Sequence, residues 1–256
     1  MQNTIQNVNF VNTLNNNDFV VLTLQNFFKV LKQNNENPFI PHRLTFFAIV
    51  LFNKGKGVHH IDFTQYEFNE PSLFFICKGQ FHSFDSHSLA DGYILFFRED
   101  FINDELSRNS EGLYYQLFNN ALYSPKINIP DESHMQKDIQ LIFEIMHLES
   151  TRKDDQFKDV IIRYQLQTLF QYVERIKKIS GKFKINNCNH TLFIRFQKQI
   201  EKHICHNKNA QFYCDSLNTS YSKLNTICKE YTGESLKHFI NERLILEIKR
   251  LLANSH

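Results

Sequence analysis

The sequence predicts an α+β chain, with an antiparallel β-barrel or jelly roll first, then helices, then an all-α unit at the C-terminal side. Three observations carry this. Between Leu44 and Phe97 short apolar runs alternate with turn signals: Lys54-Gly55-Lys56-Gly57, Glu70-Pro71, Lys78-Gly79 and Asp91-Gly92. After Asp131 the apolar residues recur instead at helical spacing. Charge is also uneven. Residues 182–256 carry 12 Lys/Arg against 6 Asp/Glu, whereas the rest of the chain is slightly acidic.

Taken in order, residues 1–17 are Asn-rich and read as an arm or tail. Phe19 to Leu31 is apolar and fits strand or helix equally. Leu44 to Phe52 is a β-type run that breaks at Lys54-Gly55-Lys56-Gly57 and resumes as Val58 to Phe63, which reads as a hairpin. Further strands are expected at Leu73 to Ile76, Gln80 to Phe84 and Tyr93 to Phe97.

Asp131 to Ser180 reads as two helices separated by the charged Ser150 to Gln156. Ile139, Ile142, Phe143 and Met146 form one stripe. Phe157, Val160, Ile161, Tyr164, Leu169, Val173 and Ile176 form the other. Gly181 to Asn189 reads as a linker, and a helix with Phe193, Phe196, Ile200 and Ile204 inward follows it.

Asn207 to Leu252 divides into three helical blocks. Tyr213, Cys214 and Leu217 share a face in the first, Leu224, Ile227, Cys228 and Tyr231 in the second, and Leu236, Ile240, Leu244, Ile248 and Leu251 in the third. Asn218-Thr219-Ser220 separates the first two. Asn tolerates the left-handed backbone of a tight turn, and Ser220 can cap the helix that follows. Gly233 supplies a stop, and Ser235 is placed to cap the third block. Two short helices joined by such a turn fit a helix-turn-helix or an ordinary helical hairpin.

The wording of this stretch resembles the DNA-binding region of AraC-type transcription regulators. Asn209-Ala210, Tyr213, Leu217, Ser220, Leu224-Asn225, Lys229, Thr232-Gly233, Ser235, Arg243-Leu244 and Lys249 to Leu252 fall in register with the family pattern, with Cys214 in place of a usual Ala. Earlier, Pro41-His42-Arg43, Gly55-Lys56-Gly57, Leu73 to Ile76, Gly79 to His82 and Asp91-Gly92-Tyr93 resemble the cupin-type sensor domain of the same family. The resemblance implies an arm and cupin-like ligand-sensing domain over 1–130, a helical dimerisation region over 131–181, and a linker, first helix-turn-helix and connecting helix over 182–256. The family's second helix-turn-helix is expected to be missing, which would weaken DNA binding by this chain alone.

Candidate site residues follow. The second helix of such a motif enters the major groove, led by its N-terminal residues. By position in the resembling family, Ser222, Asn225 and Thr226 would meet base edges, and Ser220, Tyr221 and Lys229 would hold phosphates. In the barrel, His42, His60 and His82 are polar groups among Phe-rich strands that could meet a small ligand or be core histidines with satisfied partners. His59 and His60 are adjacent, so only one can face the interior.

Enzymatic chemistry finds little support. His42 lacks the second His of a His-x-His pair, Glu67 is poorly placed, and no phosphate loop or nucleophile elbow is present. Cys188 and His190 lie about 20 Å along a helix from His203, Cys205 and His206, too far for one zinc site. The five Cys read as reduced core thiols. No apolar run is long enough to span a membrane, which suggests a soluble cytoplasmic protein. The reading is therefore a homodimeric regulator that binds double-stranded promoter DNA under control of a small-molecule effector. No catalytic residue, metal or cofactor is assigned. The alternatives are a cupin-fold metalloenzyme with a helical appendage and a dimerising module without DNA binding of its own.

Overall fold

A computed structural model describes residues 7–8, 18–69, 71–102, 117–118, 121, 124–130, 134–153, 156–179 and 187–254. The chain divides into two compact units, one of Ile5–Lys177 and one that contains Lys178–His256. The first is the β-rich unit. Its strands are β1 (Asn7–Val8), β2 (Phe19–Thr23), β3 (His42–Leu44), β4 (Phe47–Ile61), β5 (Thr64–Phe68), β6 (Ser72–Ile76), β7 (Phe81–Phe84), β8 (Leu89–Phe97) and β9 (Lys126–Asn128). The helices are α1 (Leu24–Gln33), the short α2 (Glu99–Ile102), α3 (Met135–Thr151) and α4 (Lys158–Ile179). The undecided stretch from Phe19 is thus both strand and helix, and the Thr23 side chain marks the switch by accepting the Asn26 N–H at 3.2 Å.

β4 organises the unit. Its first part pairs with β8 on one edge and β6 on the other, and β2 and β9 extend that sheet. Its last part pairs with β5 and β7, and β3 and then β1 extend the second sheet, β1 in parallel. The expected hairpin at Lys54 to Gly57 does not form, because β4 runs straight through it. The irregularity there is a register shift between Phe52 and Lys54, a bulge that bends the strand from one sheet into the other. The true reversal is Asp62-Phe63, with Asp62 in the left-handed region at φ 53°. Asp91-Gly92 is likewise no turn but part of β8. A Cβ on Gly92 would lie 1.8 Å from the Leu51 carbonyl oxygen, so the close approach of β8 to the bulge needs glycine.

Two cores explain why the β4 and β6 runs are apolar without alternation. Ala48, Val50, Phe52, Phe74 and Ile76 face an inner core with Leu24, Phe27 and Phe84. Ile49, Leu51, Leu73 and Phe75 face the opposite way, onto Ile139, Phe143, Met146, Leu166, Leu169 and Val173 of the two helices. Both faces of this sheet are covered, so both parities must be apolar. Asn53 at the bulge ties α3 down: its Nδ2 donates to Gln140 Oε1 at 2.7 Å, and its carbonyl accepts from Gln136 Nε2 at 3.2 Å.

The α4 stripe is only half correct. Leu169, Val173 and Ile176 are buried with Ile162, Leu166 and Phe170. Phe157 and Tyr164, however, are 59% and 51% exposed and lie off the covered face. On α3, Leu141 and Leu148 are exposed in the same way.

The second unit is all helix: α5 (Asn187–His203), α6 (Ala210–Ser216), α7 (Tyr221–Thr232) and α8 (Leu236–Asn254). The linker expected at Gly181 to Asn189 lies outside the described residues except for its last three positions, which open α5. Phe193, Phe196, Ile200 and Ile204 are buried as expected, and the Phe193 and Phe196 rings pack against Phe239, with Phe196 also against Tyr213. On α8 the stripe stops early. Ile248 and Leu251 are about half exposed, whereas Arg243 and Arg250 turn inward. Arg243 makes a bidentate contact with Glu201 and a 3.0 Å bond to Glu247, so ion pairing overrides hydropathy there.

Candidate functional site

The helical unit places α6 and α7 around a tight turn. Asn209 caps α6 by accepting the Gln211 N–H at 2.9 Å. The fully buried Cys214 and Leu217 lie on the face toward α7's Leu224, Ile227 and Cys228. Asn218 has φ 50°, and Ser220 accepts the Lys223 N–H at 3.3 Å to start α7. Gly233, at φ 78°, ends it, and Ser235 accepts the His238 N–H at 3.3 Å to start α8.

Five of the six residues expected at DNA share the N-terminal half of α7 and its cap, and Lys229 lies in its last turn. Ser220, Tyr221, Ser222, Thr226 and Lys229 are exposed on the side away from Leu224 and Ile227. Thr226 donates its hydroxyl to the Ser222 carbonyl at 2.9 Å, which leaves the hydroxyl oxygen as an outward acceptor. Asn225 is different. It is half-buried, and its side-chain carbonyl accepts the backbone N–H of Leu236 at 2.9 Å. It therefore spans to the first residue of α8, with its Oδ1 engaged there.

In the β-rich unit, strand pairing assembles a histidine cluster. His42 is opposite His82 across β3 and β7, and His82 is opposite Ile61 across β7 and β4. With a side-chain period of two, His59 joins Ile61 and His82 on the same face. The ring centroids of His42 and His82 are 4.2 Å apart, and those of His59 and His82 are 5.5 Å apart. Phe52, Phe74 and Phe84 surround His59 within 4.7–5.8 Å.

His60, expected in this set, is on the opposite face and half-exposed, while His59 is fully buried. The bulge explains the exchange. Counting in twos from the inward Phe52 reaches His60, but the register shift just after Phe52 inverts the parity, so His59 turns inward. The change of partner strand from β8 to β7 was the only available signal, and it is not visible in one strand's sequence.

All three buried imidazoles are held neutral. Burial pushes His59 down to about 3, and the neighbouring His42 and His60 act in the same direction. Burial also holds His82 well below its ordinary value, again reinforced by His42 and His59. For His42 burial outweighs the effect of the bond from its Nδ1 to the Ile40 carbonyl at 3.0 Å. Among the described residues neither ring nitrogen of His59 nor of His82 has a hydrogen-bond partner. Among the described residues no group of three His, Cys, Asp or Glu is arranged to hold a metal ion. A neutral imidazole offers one donor and one acceptor, so the cluster can engage a small polar group set among aromatic rings.

A family model described as an AraC-like ligand binding domain matches residues 29–166, which takes in the histidine cluster, α3 and the start of α4. The chain belongs to this family. Its AraC-like domain has the cupin-like antiparallel sheet followed by helices. Solved structures similar to the AraC-like chain include ToxT from Vibrio cholerae, at 10% identity over 88% of this chain and 79% of that one, TM-score 0.39. The AraC-like transcriptional activator CuxR is 14% identical over 93% of this chain and 82% of its own, TM-score 0.33. No curated protein matches the chain. Among the described residues no helix of this AraC-like protein is long and apolar enough to cross a membrane.

Proposed function

We propose that this AraC-type regulator binds double-stranded promoter DNA through α7 and takes a small-molecule effector beside the His42, His59 and His82 cluster. The observation that carries the DNA reading is the capped α6–turn–α7 arrangement. It leaves Tyr221, Ser222, Thr226 and Lys229 exposed on one face of α7, in the most basic part of the chain. Ser222 and Thr226 read base edges, and Ser220, Tyr221 and Lys229 hold phosphates. Asn225 acts from behind, by fixing α7 to α8.

The effector reading rests on the family match over the β-rich unit and on the unpartnered ring nitrogens of His59 and His82. Dimerisation is read onto the exposed apolar residues of the helices, Leu141 and Leu148 on α3 and Tyr164 on α4. Effector binding biases how two α7 helices meet two half-sites. Selection from random duplex DNA tests the proposal. Enrichment of one sequence by the full chain supports it, and recovery of unselected DNA alone overturns it.

A further inference from the structure

The inner core buries three imidazoles with no counter-charge among them. His42, His59 and His82 are 7%, 0% and 1% exposed, and the charges that reach them from described residues are those of other histidines: His42 and His60 at His59, His42 and His59 at His82. Glu36, on the connection from α1 to β3, has a buried Oε2 without a hydrogen-bond partner, and burial pushes its carboxyl up, toward the neutral form. The other ionisable groups on the surrounding described elements are occupied elsewhere or face outward. Asp62, in the β4–β5 turn, accepts from Gln80 Nε2 and the Phe81 N–H. Asp85, after β7, accepts from His87. Arg43 on β3 and His60 on β4 lie on the opposite parity from His42 and His59. Tyr66 of β5 packs its ring near Phe74, and Glu67 beside it is exposed. Among the described residues no side chain hydrogen-bonds His59 or His82. A proton added to this cluster therefore places a cation among like rings and phenyl groups, with no anion hydrogen-bonded to it among the described residues.

The strand that carries His42 is also lightly held. β3 has three residues and pairs with β7 only through His42 and His82 and through Arg43 and Phe81. Three backbone bonds extend this, Leu44 N–H to the Gln80 carbonyl at 3.2 Å, Gly79 N–H to the Leu44 carbonyl at 2.8 Å and, ahead of β3, Phe84 N–H to the Pro38 carbonyl at 3.0 Å. On its other edge β3 carries the N-terminal strand β1, with Asn7 opposite Arg43 and Val8 opposite Leu44. By contrast β4 is paired along its whole length with β8, β6, β5 and β7.

We propose that the His42, His59 and His82 cluster is an acid-operated latch, whose protonation drives β3, and β1 paired to it, off β7 while the rest of the sheet holds. This goes beyond the regulator reading and does not depend on DNA binding. A change of pH becomes a second input to the unit, read out as release of its N-terminal strand.

The test uses the full chain, with 8-anilinonaphthalene-1-sulfonate fluorescence and far-UV circular dichroism followed from about pH 7.5 to about pH 4. Dye binding is expected to rise within this range, before the loss of circular dichroism. His59→Phe and His82→Phe, which suit a Phe-rich core, are expected to move the dye midpoint down by about half a pH unit or more. His60→Asn is expected to leave it in place. The proposal is overturned if the dye midpoint coincides with global unfolding, if neither core variant moves it, or if His60→Asn moves it equally. Should the Phe variants prove unfolded at neutral pH, histidine-selective NMR of the native sequence decides. Rings of His59 and His82 that stay neutral until dye binding begins and then titrate with it support the latch. Rings that are cationic at neutral pH, or that titrate without dye binding, overturn it.

Discussion

The side-chain carbonyl of Asn225 accepts the backbone N–H of Leu236 at 2.9 Å, across the turn between α7 and α8. That bond satisfies one of the donors that a helix start leaves without an intrahelical partner. Asn225→Ala is therefore expected to lower unfolding stability by about 1 kcal/mol, the usual cost of a lost cap. Thr226→Ala touches no such bond between helices, and its stability change is expected to stay within about 0.5 kcal/mol. Its specific DNA affinity should instead fall by about 1–3 kcal/mol. Urea unfolding and operator binding on both variants separate the two roles. Equal stability loss in both variants contradicts the assignment.

Lys229 is exposed on the same side of α7 and is read as a phosphate contact. Lys229→Ala should weaken binding to specific and unrelated duplexes alike, and lower the slope of log affinity against log salt by about 1. A loss confined to the specific sequence would move Lys229 to a base edge.

Buried charge in the helical unit gives a stability prediction. Arg243 is 3% exposed and serves both Glu201 and Glu247. Arg243→Ala removes the bidentate partner of Glu201, while Glu247 keeps a 3.4 Å contact with Arg250, and both carboxylates reach water in part. The expected loss is about 2–4 kcal/mol, below the full penalty for a deeply buried pair. Thermal unfolding measures it, and a loss under about 1 kcal/mol would mean that the carboxylates rehydrate freely.

For the β-rich unit the sign of the pH dependence follows from the histidines. His59 is held near 3 in the folded unit, against about 6.5 in the unfolded chain, so the unfolded state binds more protons between those values. Stability is therefore at its full value above about pH 6.5 and falls by about 1.4 kcal/mol per pH unit for His59 alone, down to about pH 3. His42 and His82 are shifted in the same direction and steepen the fall. Urea midpoints measured across that range should show His59→Phe with a shallower slope than the native chain.

Much of this architecture was legible from residues. The three-block pattern, Asn218, Ser220, Gly233 and Ser235 each name a backbone geometry that only a few residue types adopt, and each takes that geometry. The barrel strands were legible from their apolar runs, but not their connections. A bulge after Phe52 looks like a turn in sequence, because the same Lys-Gly-Lys-Gly wording serves both. That one local choice inverts the parity and exchanges His60 for His59 in the core. The α8 stripe failed at Ile248 and Leu251 because an inward Arg is invisible to hydropathy until its carboxylate partners, Glu201 on α5 and Glu247 on its own helix, are brought to it. On α4, apolar periodicity marks buried and exposed faces alike, so Tyr164 reads the same as Leu169.

Those exposed residues make the dimer testable. Leu148→Asp on α3 and Tyr164→Asp on α4 are each expected to convert a dimer to monomer without loss of circular dichroism, because both side chains are more than half exposed. Light scattering after gel filtration reads the mass. A dimer that survives both changes places the interface elsewhere.

The central claim is that α7 is a DNA-reading helix, and anisotropy with fluorescent promoter DNA at several salt concentrations tests it most directly. The account predicts binding by the native chain that weakens steeply as salt rises, and loss of sequence preference when Ser222 and Thr226 are both changed to Ala. An absence of binding at low salt, or binding that neither salt nor the double variant alters, would contradict it.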